Sequence, residues 1–228
     1  MSPQVRYLRG AFLAYEPGGY PDGARRALPF RFNPETLARS LQLEQGDSGS
    51  GTEGAEKAEG GGDAAGEQGA DASSGTLKES FSIDLRFDLA DREEGAAGQL
   101  PPEMGVAPEL AALESLLHPT EAPAEAASDG SEPVQQRPQR PTVLFVWGRR
   151  RVLPVRITGM EILESLFNAD LNPVRAEVSV SLEVMGETDA KDNRAVSDAL
   201  AFTAEKRREL ADMYHENTAD QGSNILPL

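Results

Sequence analysis

Few residues in this chain could carry chemistry, and they are scattered. It holds two histidines, His118 and His215, about a hundred residues apart, and no cysteine. His118 stands before a proline, and His215 lies in a charged stretch. Neither has the His-Glu-x-x-His spacing that places two imidazoles on one metal. Disulfides, thiolate metal sites and thiol nucleophiles are excluded outright. No Gly-x-Ser-x-Gly elbow is present. Asp84 and Asp88 fall on the polar phase of an alternating run, where a solvated carboxylate is the simple reading. The compact charged cluster is Arg149-Arg150-Arg151, with Trp147 beside it. Guanidinium groups bind carboxylates bidentately, so this cluster is either a solvated hairpin tip or a docking contact for acids of a neighbouring subunit. Trp147 is read as a core residue or an interface anchor. No enzyme, cofactor or metal site is expected.

The elements that position these residues are mostly strands. Phe81–Leu89 and Val174–Val184 alternate apolar and polar residues, which in a strand puts one type on each face. Val5–Tyr15 and Leu28–Phe32 read as further strands, with Asn33-Pro34 ending the second. Leu37–Leu43 is assigned as strand over short helix. Thr142–Trp147 is an apolar strand, and Gly148-Arg149-Arg150 a tight connection to a partner running from Val152 to about Phe167. Asn172-Pro173 makes the next turn. Ala107–Leu117 is the clearest short helix: Pro108 suits its first turn, and Leu110, Leu113, Leu116 and Leu117 form one stripe. A polar helix over Asp192–Glu216 carries Val196, Leu200, Leu210 and Tyr214 loosely on one face.

Two stretches interrupt this pattern. Residues 45–75 hold ten glycines and seven acids against the single base Lys57, and no large apolar side chain. Such a segment cannot offset an ordering entropy of roughly 1–2 kcal/mol per residue. Its glycines end in no Gly-Lys-Ser/Thr, so a phosphate loop is not expected. Residues 119–141 are rich in Pro, Ala and Glu and read as a second insert. The expected organisation is a β-domain over 1–185 with these two inserts, then a helical extension and tail over 186–228.

The net charge is −16, from 22 basic and 38 acidic residues. That balance argues against nucleic acid, which requires a basic stripe. No stretch approaches the ~20 apolar residues of a membrane-spanning helix, and the first residues lack the apolar core of a signal peptide. Synthesis and folding in the cytoplasm is the expectation, and if the protein leaves the cell it does so without an ordinary secretion signal.

Several stretches resemble a known family. Leu28-Pro-Phe-Arg-Phe-Asn-Pro-Glu-Thr-Leu-Ala-Arg-Ser-Leu41 resembles the F-x-F-N-P-E-x-L-x-R-S opening of tube-type proteins from phage tail-like contractile injection systems. Val143-Leu-Phe-Val-Trp-Gly148, Arg151-Val-Leu-Pro-Val-Arg156 and Phe167–Val178 resemble the later half of the same domain. The resemblance covers roughly 1–44, 76–118 and 142–185. It implies a mainly β (α+β) fold, a tail-tube-like β-sandwich or barrel with one flanking helix and here a C-terminal helix. It further implies a structural subunit, a tube initiator or spike-side adaptor in a ring at the junction of inner tube and baseplate. Its partners would be itself, as a hexamer, the inner tube protein, and the central spike or other baseplate proteins. Several members carry a C-terminal LysM module, and no LysM-type opening follows Val184 here. The assembly-interface candidates are Phe32, Asn33, Pro34, Trp147, Arg149, Arg150 and Arg151. The competing readings are a soluble β-barrel that binds a small ligand, which would show polar groups on the inward strand faces, and a carboxylate-dependent hydrolase.

Overall fold

The computed structural model describes residues 8–22, 25–30, 33–44, 76–92, 100–119 and 139–222. Their strands are β1 (Ala11–Tyr15), β2 (Arg25–Pro29), β3 (Leu37–Glu44), β4 (Thr76–Asp88), β5 (Thr142–Val146), β6 (Val152–Phe167) and β7 (Pro173–Val184). The helices are α1 (Ala107–Glu114), α2 (Glu187–Ala190) and α3 (Arg194–Gly222). All seven strands form one antiparallel sheet in the order β2-β1-β5-β6-β7-β4-β3. The mainly β class expected from the residues is the one observed, with α1 as its flanking helix.

The sheet is strongly curled. Three strand spacings separate β5 from β4, about 14 Å in a flat sheet. Yet the rings of Phe145 on β5 and Phe81 on β4 lie 5.9 Å apart. Phe12 and Phe30 join them. The concave face is therefore a packed core, completed by Val106, Leu110, Leu113 and Leu116 of α1 and the turns that flank it. Gly105 lets this segment approach β7: its φ is +57°, and a Cβ there would meet the Pro173 carbonyl oxygen at 2.1 Å. The Val106 N–H instead donates to that oxygen at 2.8 Å.

The convex face differs along its width. On β1, β5 and the start of β6 it is apolar and covered by α3: Tyr15, Leu144 and Ala199 form a second buried cluster, with Leu13, Tyr20 and Val152 against it. Thr203 fastens α3 to β6, its hydroxyl donating to the Val152 carbonyl at 2.6 Å. On β4 and β7 the convex face carries Ser82, Asp84, Arg86, Glu177, Ser179 and Ser181, all exposed. A register shift in β6 between Ile157 and Gly159 inserts Thr158 and reverses the inward phase from odd to even residues.

Four expectations change in detail. The strand read over Val5–Tyr15 begins at Ala11 among the described residues. The strand placed at Leu28–Phe32 lies at Arg25–Pro29, because its pairing with β1 sets Ala11 opposite Pro29. The helix of Ala107–Leu117 ends as α at Glu114 and continues as turns, with the Leu116 and Leu117 amides reaching back only three residues. The C-terminal helix is longer than expected and divided in character. Val196 is fully buried, whereas Leu210 and Tyr214 are exposed. The inserts expected over 45–75 and 119–141 lie almost wholly outside the described residues.

Candidate functional site: the two ends of the sheet

The interface candidates do not form one cluster. Phe32 lies outside the described residues. The Asn33 side chain is a staple: its Oδ1 accepts from the Gly10 N–H at 2.8 Å, and its Nδ2 donates to the Leu8 carbonyl at 2.8 Å. It binds the chain entering β1 to the chain leaving β2, and Pro34 follows, half-buried. Trp147 is brought to the same place. Its ring lies 5.8 Å from Phe145, and a Cβ on Gly10 would come within 2.9 Å of it. Trp147 is thus a half-buried extension of the aromatic core.

The three arginines divide. The Trp147 N–H donates to the Arg151 carbonyl at 2.9 Å, closing a turn in which Gly148 has φ +71°. That turn leaves Arg149 and Arg150 exposed and folds Arg151 back. The Arg151 guanidinium lies 5.9 Å from the Phe81 ring centroid, and Arg39 lies 6.0 Å from the same ring. Beside them sits Glu79, a buried carboxylate. It accepts from Arg39 Nε at 2.6 Å and from Arg207 Nη2 at 2.7 and 2.8 Å. Burial first, then the like charges of Arg39 and Arg207, lower the Arg151 guanidinium from its ordinary value, with Glu79 opposing. Three guanidinium groups around one carboxylate leave this corner with surplus positive charge. Arg150 extends it toward Lys206 of α3.

Sequence reasoning missed Arg39, Glu79 and Arg207. A signal did exist for Glu79, which occupies the inward phase of β4 two residues before Phe81. An acid in that phase has to be paired. Nothing in the local sequence around Arg207, 128 positions away, indicates that it is the partner. Next to Glu79 on the same face, Leu41, Leu43 and Leu77 are each at least half exposed. We call this corner the basic end.

The opposite end is built by the turn from β6 to β7. Asn168 organises it: its backbone N–H donates to the Asn172 carbonyl, and its Oδ1 accepts from the Asp170 and Asn172 amides at 3.0 and 2.9 Å. Both asparagine Nδ2 atoms donate to the Glu103 carbonyl, at 2.6 and 2.8 Å, fastening the turn to the segment before α1. On this rigid frame Leu163, Leu166, Phe167 and Leu171 are 53% to 79% exposed. Leu166 and Leu171 have φ of +56° and +61°, a region where a side chain costs about 1–2 kcal/mol and glycine is the usual occupant. Residues 157–174 contain three acids, Glu161, Glu164 and Asp170, and no base. Arg175, opposite Ser165 across the β6–β7 pair, and Arg86 both bond Asp88. The Ala90 N–H, then these two guanidiniums, hold the Asp88 carboxyl below its ordinary value.

Among the described residues no group of three or more His, Cys, Asp or Glu is arranged to hold a metal ion, and no helix is long and apolar enough to cross a membrane. A curled antiparallel sheet with a filled interior, and with its unusual side chains gathered at its two ends, defines a structural β-scaffold. Residues 12–194 match the contractile injection system tube protein family, and the chain belongs to that family. Its role is structural, as part of a contractile injection system. The match spans β2 through β7 and nearly all of β1, and it stops where α3 begins. No curated protein matches the chain.

Proposed function

We propose that this chain forms a ring, by analogy with six copies, at the junction between the inner tube and the baseplate or spike. The observation that carries the reading is the position of α3. The family match ends at residue 194, and the first turns of the 29-residue helix that follows, through Ala195, Val196, Ala199 and Thr203, are packed on the outer face of β1, β5 and β6, while residues 208–217 are exposed. A tube-family sheet with one convex region occupied by an added helix suits a specialised terminal ring, because that region is closed to contacts a uniform tube could use. Arg149 and Arg150, exposed at the sheet end, are the interface contacts of this reading, with Trp147 and Asn33 shaping the corner behind them. Assembly takes place in the bacterial cytoplasm.

The ligand-carrier alternative is less well supported. Phe12, Phe81, Phe145 and Leu113 occupy the space a pocket would need. Co-expression with the tube and spike components of the same particle, followed by light scattering, tests the proposal. A ring-sized complex containing one or both components is the expected result. A chain that stays monomeric in every mixture overturns it.

A further inference from the structure

The two ends of the sheet are complementary in charge and alike in exposed apolar surface. The β6–β7 tip presents acids and leucines, with no base in residues 157–174. Among the described residues none of Glu161, Glu164 and Asp170 is in an ion pair. The basic end presents Arg149 and Arg150 beside the Arg39–Arg151–Arg207 group, flanked by Leu41, Leu43 and Leu77. The two surfaces lie at opposite ends of the same strands. β7 alone spans 12 residues, about 40 Å of extended chain.

We infer that the acidic β6–β7 tip of one copy of this chain docks on the basic end of a second copy, giving a head-to-tail contact directed by charge. This inference rests on the assembly reading above and names its surfaces. Three observations select this occupant. The first is charge: tip-to-tip or end-to-end pairing would set like charges together, which disfavours a two-fold contact and leaves the heterologous one. The second is backbone strain. Leu166 and Leu171 are held in the left-handed region with their side chains exposed, where neither local conformation nor the core formed by the described residues accounts for leucine. The third is rigidity, since the bonds of Asn168 and Asn172 fix the tip before any partner arrives. A preorganised surface loses little entropy on docking.

The test is charge exchange in the full-length chain. One variant carries Glu164→Lys and Asp170→Lys; the other carries Arg149→Glu and Arg150→Glu. All four positions are exposed, so both variants are expected to keep the wild-type melting temperature. Self-association is followed by analytical ultracentrifugation at low salt and at roughly 0.5 M salt, where the Debye length falls to a few ångströms. Wild type is expected to associate at least tenfold more weakly at high salt. Each variant alone should lose association, and an equimolar mixture should regain it, because lysine tips meet glutamate ends. Variants that associate as wild type overturn the inference. So does a mixture no better than its components. A wild-type chain that is monomeric alone but binds the tube or spike component overturns this inference and leaves the assembly reading standing. Failure to bind either removes both.

Discussion

The sheet has one concave core and two kinds of convex surface, and the difference between them is readable strand by strand. On β5 the run Thr142–Val146 is apolar on both faces, because Val143 and Phe145 face the core while Leu144 faces α3. On β4 and β7 only alternate residues are apolar, because nothing among the described residues covers Asp84, Glu177 or Ser179. A strand buried on both sides needs a continuous apolar run, and one with a wet side alternates. The contrast separates the surface already covered within the chain from the surface left open among the described residues, which is where the proposed contacts between chains would fall. The covered region is complete. The uncovered one ends in a tip whose leucines are exposed among the described residues.

Substitutions on the two sides test that contrast. The largest effect is expected at the shared core. Val180→Asp buries an unpaired carboxylate at a fully inaccessible site and should cost about 4 kcal/mol or more, read as a collapsed thermal transition. Next come matched arginines on the two convex regions. Ala199→Arg forces a cation between α3 and Leu144 and should cost about 2–4 kcal/mol, whereas Ser181→Arg on the open face should stay within about 0.5 kcal/mol. Equal effects in urea denaturation would erase the distinction. Glu79→Gln removes the charge that ties Arg207 of α3 to β4. The expected loss is about 1–3 kcal/mol, below that of a fully buried pair, because Arg39 and Arg207 are 34% and 40% exposed and regain water.

The pH dependence follows from Asp88. Its folded value lies below the ordinary 3.8, so its contribution to stability is complete above that value and is lost as pH falls through the lower folded value. Asp88→Asn should therefore be less stable than wild type at neutral pH and show a shallower acid limb below about pH 4 in melting curves. The smallest effect on folding is expected at the tip. Leu171→Gly relieves a positive φ and loses little burial, so its melting temperature should match or slightly exceed wild type, while ring or filament formation weakens. A drop in stability there would mean that the leucine serves the fold.

Much of this architecture is legible in the residues because burial writes itself as period. The alternating runs of β4 and β7, the continuous run of β5 and the leucine stripe of α1 each follow from what covers them. β6 was harder. Its inward phase changes at Thr158, so no single alternation describes Val152–Phe167. The candidate site was legible only in part. Arg149, Arg150 and Arg151 are adjacent in sequence and stand out, but Arg151 turns inward while its neighbours do not. Glu79 and Arg207 meet only through tertiary structure. Leu163 and Leu166 belong to a run that reads as an ordinary strand, Leu171 stands just before the Asn172-Pro173 turn, and their exposure depends on where that turn falls. Asn33, part of the motif that resembles the tube family, proves to be a backbone staple. Its sequence signal was for a chain break, which is the same property seen locally.

The most direct test of the central claim is amide hydrogen exchange on the assembled and the dissociated full-length chain. Assembly is expected to slow exchange at the β6–β7 tip, residues 164–172, and at the Arg149–Arg151 turn, while the amides of β1 and β5 beneath α3 stay as they were. Protection gained only over β1, β5 and α3, with the tip unchanged, would contradict it.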